Sequence, residues 1–176
     1  MLAAVLILLL SACDSGSDQA TPQEPTASSS SPAPTATVPT MPAQAAEDSS
    51  EGAAAFVKYY VDVFNYAAAT GDVDELSRLS SPDCDGCQRY IDLYRDTYEA
   101  GGYFKGADWT LGDLKLQVTD SATFVTTTAA TEPGPYKTSD RGSESVSTGQ
   151  DNEISFAVQR PSDAWQVTQF GLGGVS

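Results

Sequence analysis

The chain has 176 residues, with 9 Lys and Arg against 24 Asp and Glu and no His, giving a formal net charge of -15. That length is one domain with some residues left over. The charge repels a phosphate backbone and excludes nonspecific nucleic-acid binding; the missing imidazole excludes Ser-His-Asp and Cys-His catalysis and most zinc hydrolase sites.

Leu2–Leu10 is an unbroken apolar run. It is too short to span a bilayer as a helix, which takes roughly 20 residues, and has the length of a signal-peptide core. It ends in Leu10-Ser11-Ala12-Cys13, which resembles a bacterial lipobox, where small residues fit the signal peptidase and the Cys thiol accepts diacylglycerol. The resemblance implies a signal peptide over residues 1–12 and a lipid on Cys13 that anchors the mature protein to the outer face of the cell membrane. Only Met1 precedes the run, where a basic segment is usual, so the true translation start is expected upstream. Asp14 to Ser50 holds six of the ten prolines and no aromatic, Lys or Arg. It cannot bury enough apolar surface to offset its ordering entropy. Residues 13–50 therefore read as a lipidated Cys and a disordered, extended tether, with O-glycosylation as an alternative use of its Ser and Thr.

The folded domain is expected over residues 51–172, with a short tail at 173–176. Five of the 24 acids precede Glu51 and all nine basic residues follow it, so the domain remains acidic. Glu51–Thr70 reads as a helix, with Phe56, Tyr60, Val63, Phe64 and Ala67 on one face, a capping box from Asp48 to Glu51, and Gly71 as the stop. A short second helix has Asp72 as N-cap, Leu76 and Leu79 as its apolar face, and ends at Ser81-Pro82. The third runs from Cys84 to Ala100 with the stripe Cys87, Tyr90, Ile91, Tyr94 and Tyr98, and Gly101-Gly102 beyond it.

After Gly102 the period switches from 3.6 to 2. Leu114, Leu116 and Val118 alternate with polar residues; Ala122–Ala130 is rich in Thr, Val and Phe; Ile154, Phe156 and Val158 alternate again. Glu132–Gly149 is polar and turn-rich and reads as an exposed hairpin or long loop. Pro161-Ser162-Asp163 is a turn, and a last strand runs from Trp165 to near Phe170, leaving a Gly-rich tail too small to pack. Three helices followed by about four antiparallel strands is a segregated α+β pattern.

That order resembles the nuclear-transport-factor-two-like (cystatin-like) cone fold, in which helices close a curved antiparallel sheet, and Asp163-Ala164-Trp165-Gln166-Val167-Thr168 is similar to its final strand. The segment Ala55–Asp62, then Ala69-Thr70-Gly71-Asp72, Ser80–Cys84 with Cys87, Tyr98–Gly102 and Asp108-Trp109-Thr110 resemble a family of actinobacterial lipoproteins, domain of unknown function 6318. The resemblance implies location and fold and brings no mechanism.

Two sites stand out. Cys84-Asp85-Gly86-Cys87 places two thiols three residues apart at a helix start, within disulfide reach in an oxidising compartment. A structural bond is the first reading, with Cys84 at the exposed entrance and Cys87 against the core; a thiol redox pair is the alternative, opposed by the flanking Asp83 and Asp85. The second site is the cone interior, for which Tyr60, Phe64, Tyr94, Trp109, Leu116, Phe156 and Trp165 are the candidate lining. An isomerase-like enzyme would need an inward acid there, but Asp120 lies at a strand end, Asp151 and Glu153 lie out of the apolar phase, and Asp108 reads as a turn residue. No catalytic residue, metal ligand or cofactor is assigned. The expected role is a non-catalytic binding domain for an envelope protein or small apolar ligand, with a cone enzyme and a thiol oxidoreductase as alternatives and a homodimer through the sheet as a further expectation.

Overall fold

The computed structural model describes residues 36–173. The apolar run, Cys13, the tether up to residue 35 and the last three residues of the tail lie outside the described residues.

Helix α1 (Ser50–Thr70) buries Phe56, Tyr60, Val63, Phe64 and Ala67 along the expected stripe. Its N-cap is Ser49, not Asp48: the Ser49 hydroxyl accepts the Gly52 amide at 3.0 Å, satisfying a donor the first turn leaves free. α2 (Asp74–Leu79) has Val73 as its N-cap and starts one residue later than an Asp72 cap predicts. The Asp72 carboxylate instead accepts the Asp74 amide at 3.2 Å in a turn ahead of the helix. α3 (Asp85–Glu99) has Cys84 as its N-cap residue, and the Cys84 sulfur accepts the Cys87 amide at 3.2 Å.

Among the described residues eight strands follow, in sheets of three and five, where one sheet of about four was expected. β1 (Tyr103–Phe104), β5 (Pro135–Lys137) and β6 (Ser145–Val146) form a small antiparallel sheet in the order β1-β5-β6. Its β5–β6 pair is the hairpin that stood beside a long loop as the expectation for Glu132–Gly149; strands of two or three residues are too short to show a period. The main sheet runs β2 (Trp109–Leu111), β4 (Thr123–Thr131), β7 (Gln150–Gln159), β8 (Gln166–Leu172), with β3 (Lys115–Val118) also pairing β4. All of these pairings are antiparallel. A register shift between Ala157 and Val158 marks a bulge, which bends the strand pair. β8 passes the expected end at Phe170, and the Gly173 amide still donates to the Glu153 carbonyl at 2.7 Å.

The three helices pack on the sheet face that carries Val125, Ile154, Phe156, Val158, Val167 and Phe170, and the domain is α+β as expected. Phe156 and Phe170 are opposite in register and stack at 5.0 Å. Phe64 of α1 lies edge-on to Tyr90 and Tyr94 of α3, at 5.0 and 5.3 Å between ring centres. Each such buried ring contributes roughly 1.5–3 kcal/mol through removal from water.

Two expectations about burial are corrected here. Leu116 pairs with Val125 and so faces the same side, but it is 38% exposed, and Val118 is 63% exposed. β3 is an edge strand, bonded to β4 alone among the described residues, so the right phase brings no cover. The tether's expected end at Ser50 is also too late. Residues from about Pro39 onward lie on the domain: Ala43–Ala46 forms one 3₁₀ turn, Ala45 is 1% exposed and Met41 packs against the core. The Trp165 indole donates to the Glu47 carbonyl at 3.0 Å, the Arg160 guanidinium donates to the Ala46 carbonyl at 2.8 Å, and the Tyr59 hydroxyl reaches the Pro39 carbonyl at 3.4 Å.

Candidate functional site

The disulfide joins Cys84 and Cys87. Both residues are only 1% exposed, so Cys84 is not the exposed member that its position at the helix entrance suggested. It is buried because the loop before α3 is bound to the last strand: the Ser81 amide donates to the Val167 carbonyl at 2.8 Å, and Gly86 lies directly against the Phe170 backbone.

A cavity of about 510 Å³ opens between α3 and the two sheets. Its aromatic wall is Tyr90 of α3, Phe104 of β1, Trp109 of β2 and Tyr136 of β5. Its polar wall is Thr131 of β4, Ser147 and Thr148, with Gln150 and Asn152 of β7. Val146 and Leu172, 67% and 64% exposed, add apolar surface to the lining.

The aromatic wall is held from behind. The Asn65 side chain of α1 clamps the Trp109 backbone, its amide donating to the carbonyl at 2.9 Å and its oxygen accepting the Trp109 amide at 2.9 Å. The Trp109 ring lies 5.0 Å from Phe64 and 6.0 Å from Phe170. Phe104 and Tyr136, cross-strand partners, lie nearly parallel at 12° with centres 6.0 Å apart. Lys105 is the one formally charged side chain in the lining, with its ammonium 4.4 Å from the Tyr103 ring centre. Burial pushes the Tyr90 phenol above its ordinary value, opposed by the nearby Arg89 charge.

Of the seven side chains expected to line a pocket, Trp109 alone lines this cavity, and Trp165 borders a smaller one of about 220 Å³ beside the β3–β4 turn. Tyr60, Phe64, Tyr94 and Phe156 are core residues, each 5% exposed or less. The Tyr60 hydroxyl is engaged with the Ser80 hydroxyl at 3.0 Å, deep in the helix layer. Trp165 holds the segment before α1, and Leu116 sits on the sheet edge. Their apolar character marks them as core as readily as pocket, and the core takes the better-covered positions. The residues that do line the cavity had one legible signal. Gln150 and Asn152 continue the inward phase of Ile154 and Phe156 in amides, where an isomerase would place an acid. Asp108 is exposed before β2, Asp120 lies in the turn after β3, and Asp151 and Glu153 are exposed on β7, none of them in this lining. Among the described residues no group of three or more His, Cys, Asp or Glu is placed to hold a metal ion.

Three helices closing one face of an antiparallel sheet beside an open cavity define a two-layer α+β domain. The chain belongs to the Family of unknown function (DUF6318), whose sequence pattern matches residues 23–170. No curated protein is significantly similar. Among solved structures it is similar to the intermembrane space region of the chloroplast protein ARC6, at 13% identity over 73% of this chain and 99% of that one, with a TM-score of 0.53. It is also similar to an NTF2-like protein with a cystatin-like fold from Novosphingobium aromaticivorans, at 13% identity over 71% of this chain and 89% of that one (TM-score 0.42). A third similar structure is an NTF2-like protein of unknown function in nutrient uptake from Rhodospirillum rubrum, at 16% identity over 68% of this chain and 98% of that one (TM-score 0.44). The likeness to the ARC6 region is one of fold alone.

Proposed function

We propose that this protein is a lipoprotein anchored through Cys13 to the outer face of the cell membrane, and that its folded part is a non-catalytic binding domain whose ligand site is the cavity beside Trp109. The lining carries the reading: a rigid aromatic wall beside neutral amides and hydroxyls, with no carboxylate in the lining among the described residues. Such a surface can hold and orient a small molecule, whereas proton abstraction needs a base within hydrogen-bond reach of the reacting atom. The Leu10–Cys13 motif supports the anchor, and a disulfide suits an exported protein. Burial of both cysteines favours a structural bond over a redox pair, since exchange requires an attacking thiolate to reach a sulfur.

Two measurements test this reading. Cys13→Ser should move the chain from the membrane to the soluble fraction, and a variant that stays on the membrane removes the anchor. Native mass spectrometry of chain extracted from its own envelope should show a bound small molecule that Trp109→Ala releases. A chain that is empty and also fails to take up either a saccharide or palmitate removes the binding reading.

A further inference from the structure

We infer that the cavity is a saccharide site; this rests on the binding-domain reading above and names the ligand class. A sugar ring has two kinds of surface. Its C–H faces are apolar and pack on aromatic rings, while its rim is a row of hydroxyls, each of which both donates and accepts. The cavity presents the complement of both. Trp109, Phe104 and Tyr136 supply rings fixed by the core and by the β1–β5 pairing.

Beside Trp109 on the same sheet face, and near it in the lining, are side-chain polar atoms with no hydrogen-bond partner among the described residues: Asn152 Oδ1, Gln150 Nε2 and the Thr148 hydroxyl. The Asn152 side-chain nitrogen donates to the Gln150 side-chain oxygen at 3.3 Å. That bond leaves an acceptor from one side chain and a donor from the other, the combination one hydroxyl satisfies on both sides. On the aromatic wall the Trp109 indole N–H and the Tyr90 hydroxyl are likewise without a partner among the described residues.

The charge pattern narrows the class. No carboxylate lines the cavity and Lys105 is its one cation. The site therefore suits a neutral sugar or one bearing a single acid group, and disfavours a cationic ligand. A fatty chain would use the rings but would cover the β7 amides and Thr148 with hydrocarbon, at a desolvation cost. The volume of about 510 Å³ is within the usual range for small-ligand sites.

The test uses the full chain in a detergent without a sugar headgroup. It is screened on an array of di- to hexasaccharides of hexoses, N-acetylhexosamines, pentoses, deoxyhexoses and uronic acids, with hits measured by calorimetry. Palmitate is titrated in parallel. Saccharide binding that Asn152→Ala and Gln150→Ala each weaken at least tenfold, with the melting temperature unchanged, is the expected result. Both side chains lie at the rim, so these variants keep the fold even if Trp109→Ala does not. Saccharide binding indifferent to both would place the sugar elsewhere and overturn the inference. Palmitate binding lost in Leu172→Ser, with no saccharide bound, would overturn the ligand class and leave the binding domain standing. Failure of both ligands would remove the two readings together.

Discussion

Gly86 lies between the two bonded cysteines with its α-carbon against β8, where a β-carbon would fall 1.9 Å from the Phe170 carbonyl oxygen. That oxygen belongs to a strand paired with β7 and cannot swing aside as a side-chain tip could. Gly86→Ala is therefore expected to destabilise by about 3 kcal/mol, as severe overpacking does, and a melting temperature within a degree of the parent would refute the contact. The bond itself closes a very short loop, worth about 2 kcal/mol in the chain-entropy account. Cys84→Ala with Cys87→Ala also removes two buried sulfurs, so the pair should cost about 2–4 kcal/mol in a denaturant titration. A loss well under 1 kcal/mol would mean the bond constrains nothing. The spacing of the cysteines made the bond legible. The depth of Cys84 was not legible, because it depends on β8, far along the chain, which meets its neighbours Ser81 and Gly86 at Val167 and Phe170.

At the scale of elements, the segment before α1 shows what periodicity misses. Residues 36–49 have no helical or strand pattern and two prolines, yet they are fastened by single contacts: Ala45 in the core, Trp165 on Glu47, Arg160 on Ala46. The Arg160 guanidinium also lies over the Trp165 ring at 5.3 Å, so one pair of side chains holds two carbonyls. Gly52 completes the fit, since a β-carbon there would fall 2.1 Å from the Glu47 carbonyl oxygen. Limited proteolysis of the parent should then leave a fragment that begins before Pro39, and Gly52→Ala should expose new cleavage between Pro42 and Ser49. A parent fragment starting at Glu51 would show that the segment does not hold. The same scale explains the strands. The long ones are legible for different reasons: β4 buries alternate residues from Thr123 to Ala129, and β7, buried throughout Ile154–Val158, still alternates large apolar with small side chains there. β1, β5 and β6 exist through pairing with one another, a long-range property that two or three residues cannot encode. The cavity lies between α3 and the two sheets, so its lining was legible only at Trp109 and where it extends β7.

For the molecule as a whole, the fold takes tyrosines where a less polar ring would pack as well, and this fixes how stability responds to alkali. Tyr60 and Tyr94 are 1% and 5% exposed, and burial pushes both phenols far above their ordinary value. Tyr59 is pushed up to about 12, first by burial and then by the Glu75 carboxylate, to which its hydroxyl donates at 2.6 Å. In the unfolded chain each phenol ionises near its ordinary value of about 10. Below that pH all three are neutral in both states and their contribution to stability is fully present. Between about 10 and 12 the unfolded chain releases protons that the folded chain retains, so the unfolded state binds fewer and stability falls as pH rises. The net charge of -15 grows more negative over the same range and adds self-repulsion. The expected result is a two-part tyrosinate titration at 295 nm. Exposed phenols ionise gradually, and the buried ones appear in a steep step that coincides with loss of far-ultraviolet dichroism. Tyr59→Phe removes one phenol that titrates only on unfolding, so it should shift that step to higher pH relative to its own stability at neutral pH. If all eight tyrosines ionised in a single shallow curve with the helices still intact, the buried assignments of Tyr60 and Tyr94 would fail, and with them the packing of α1 and α3 on the sheet.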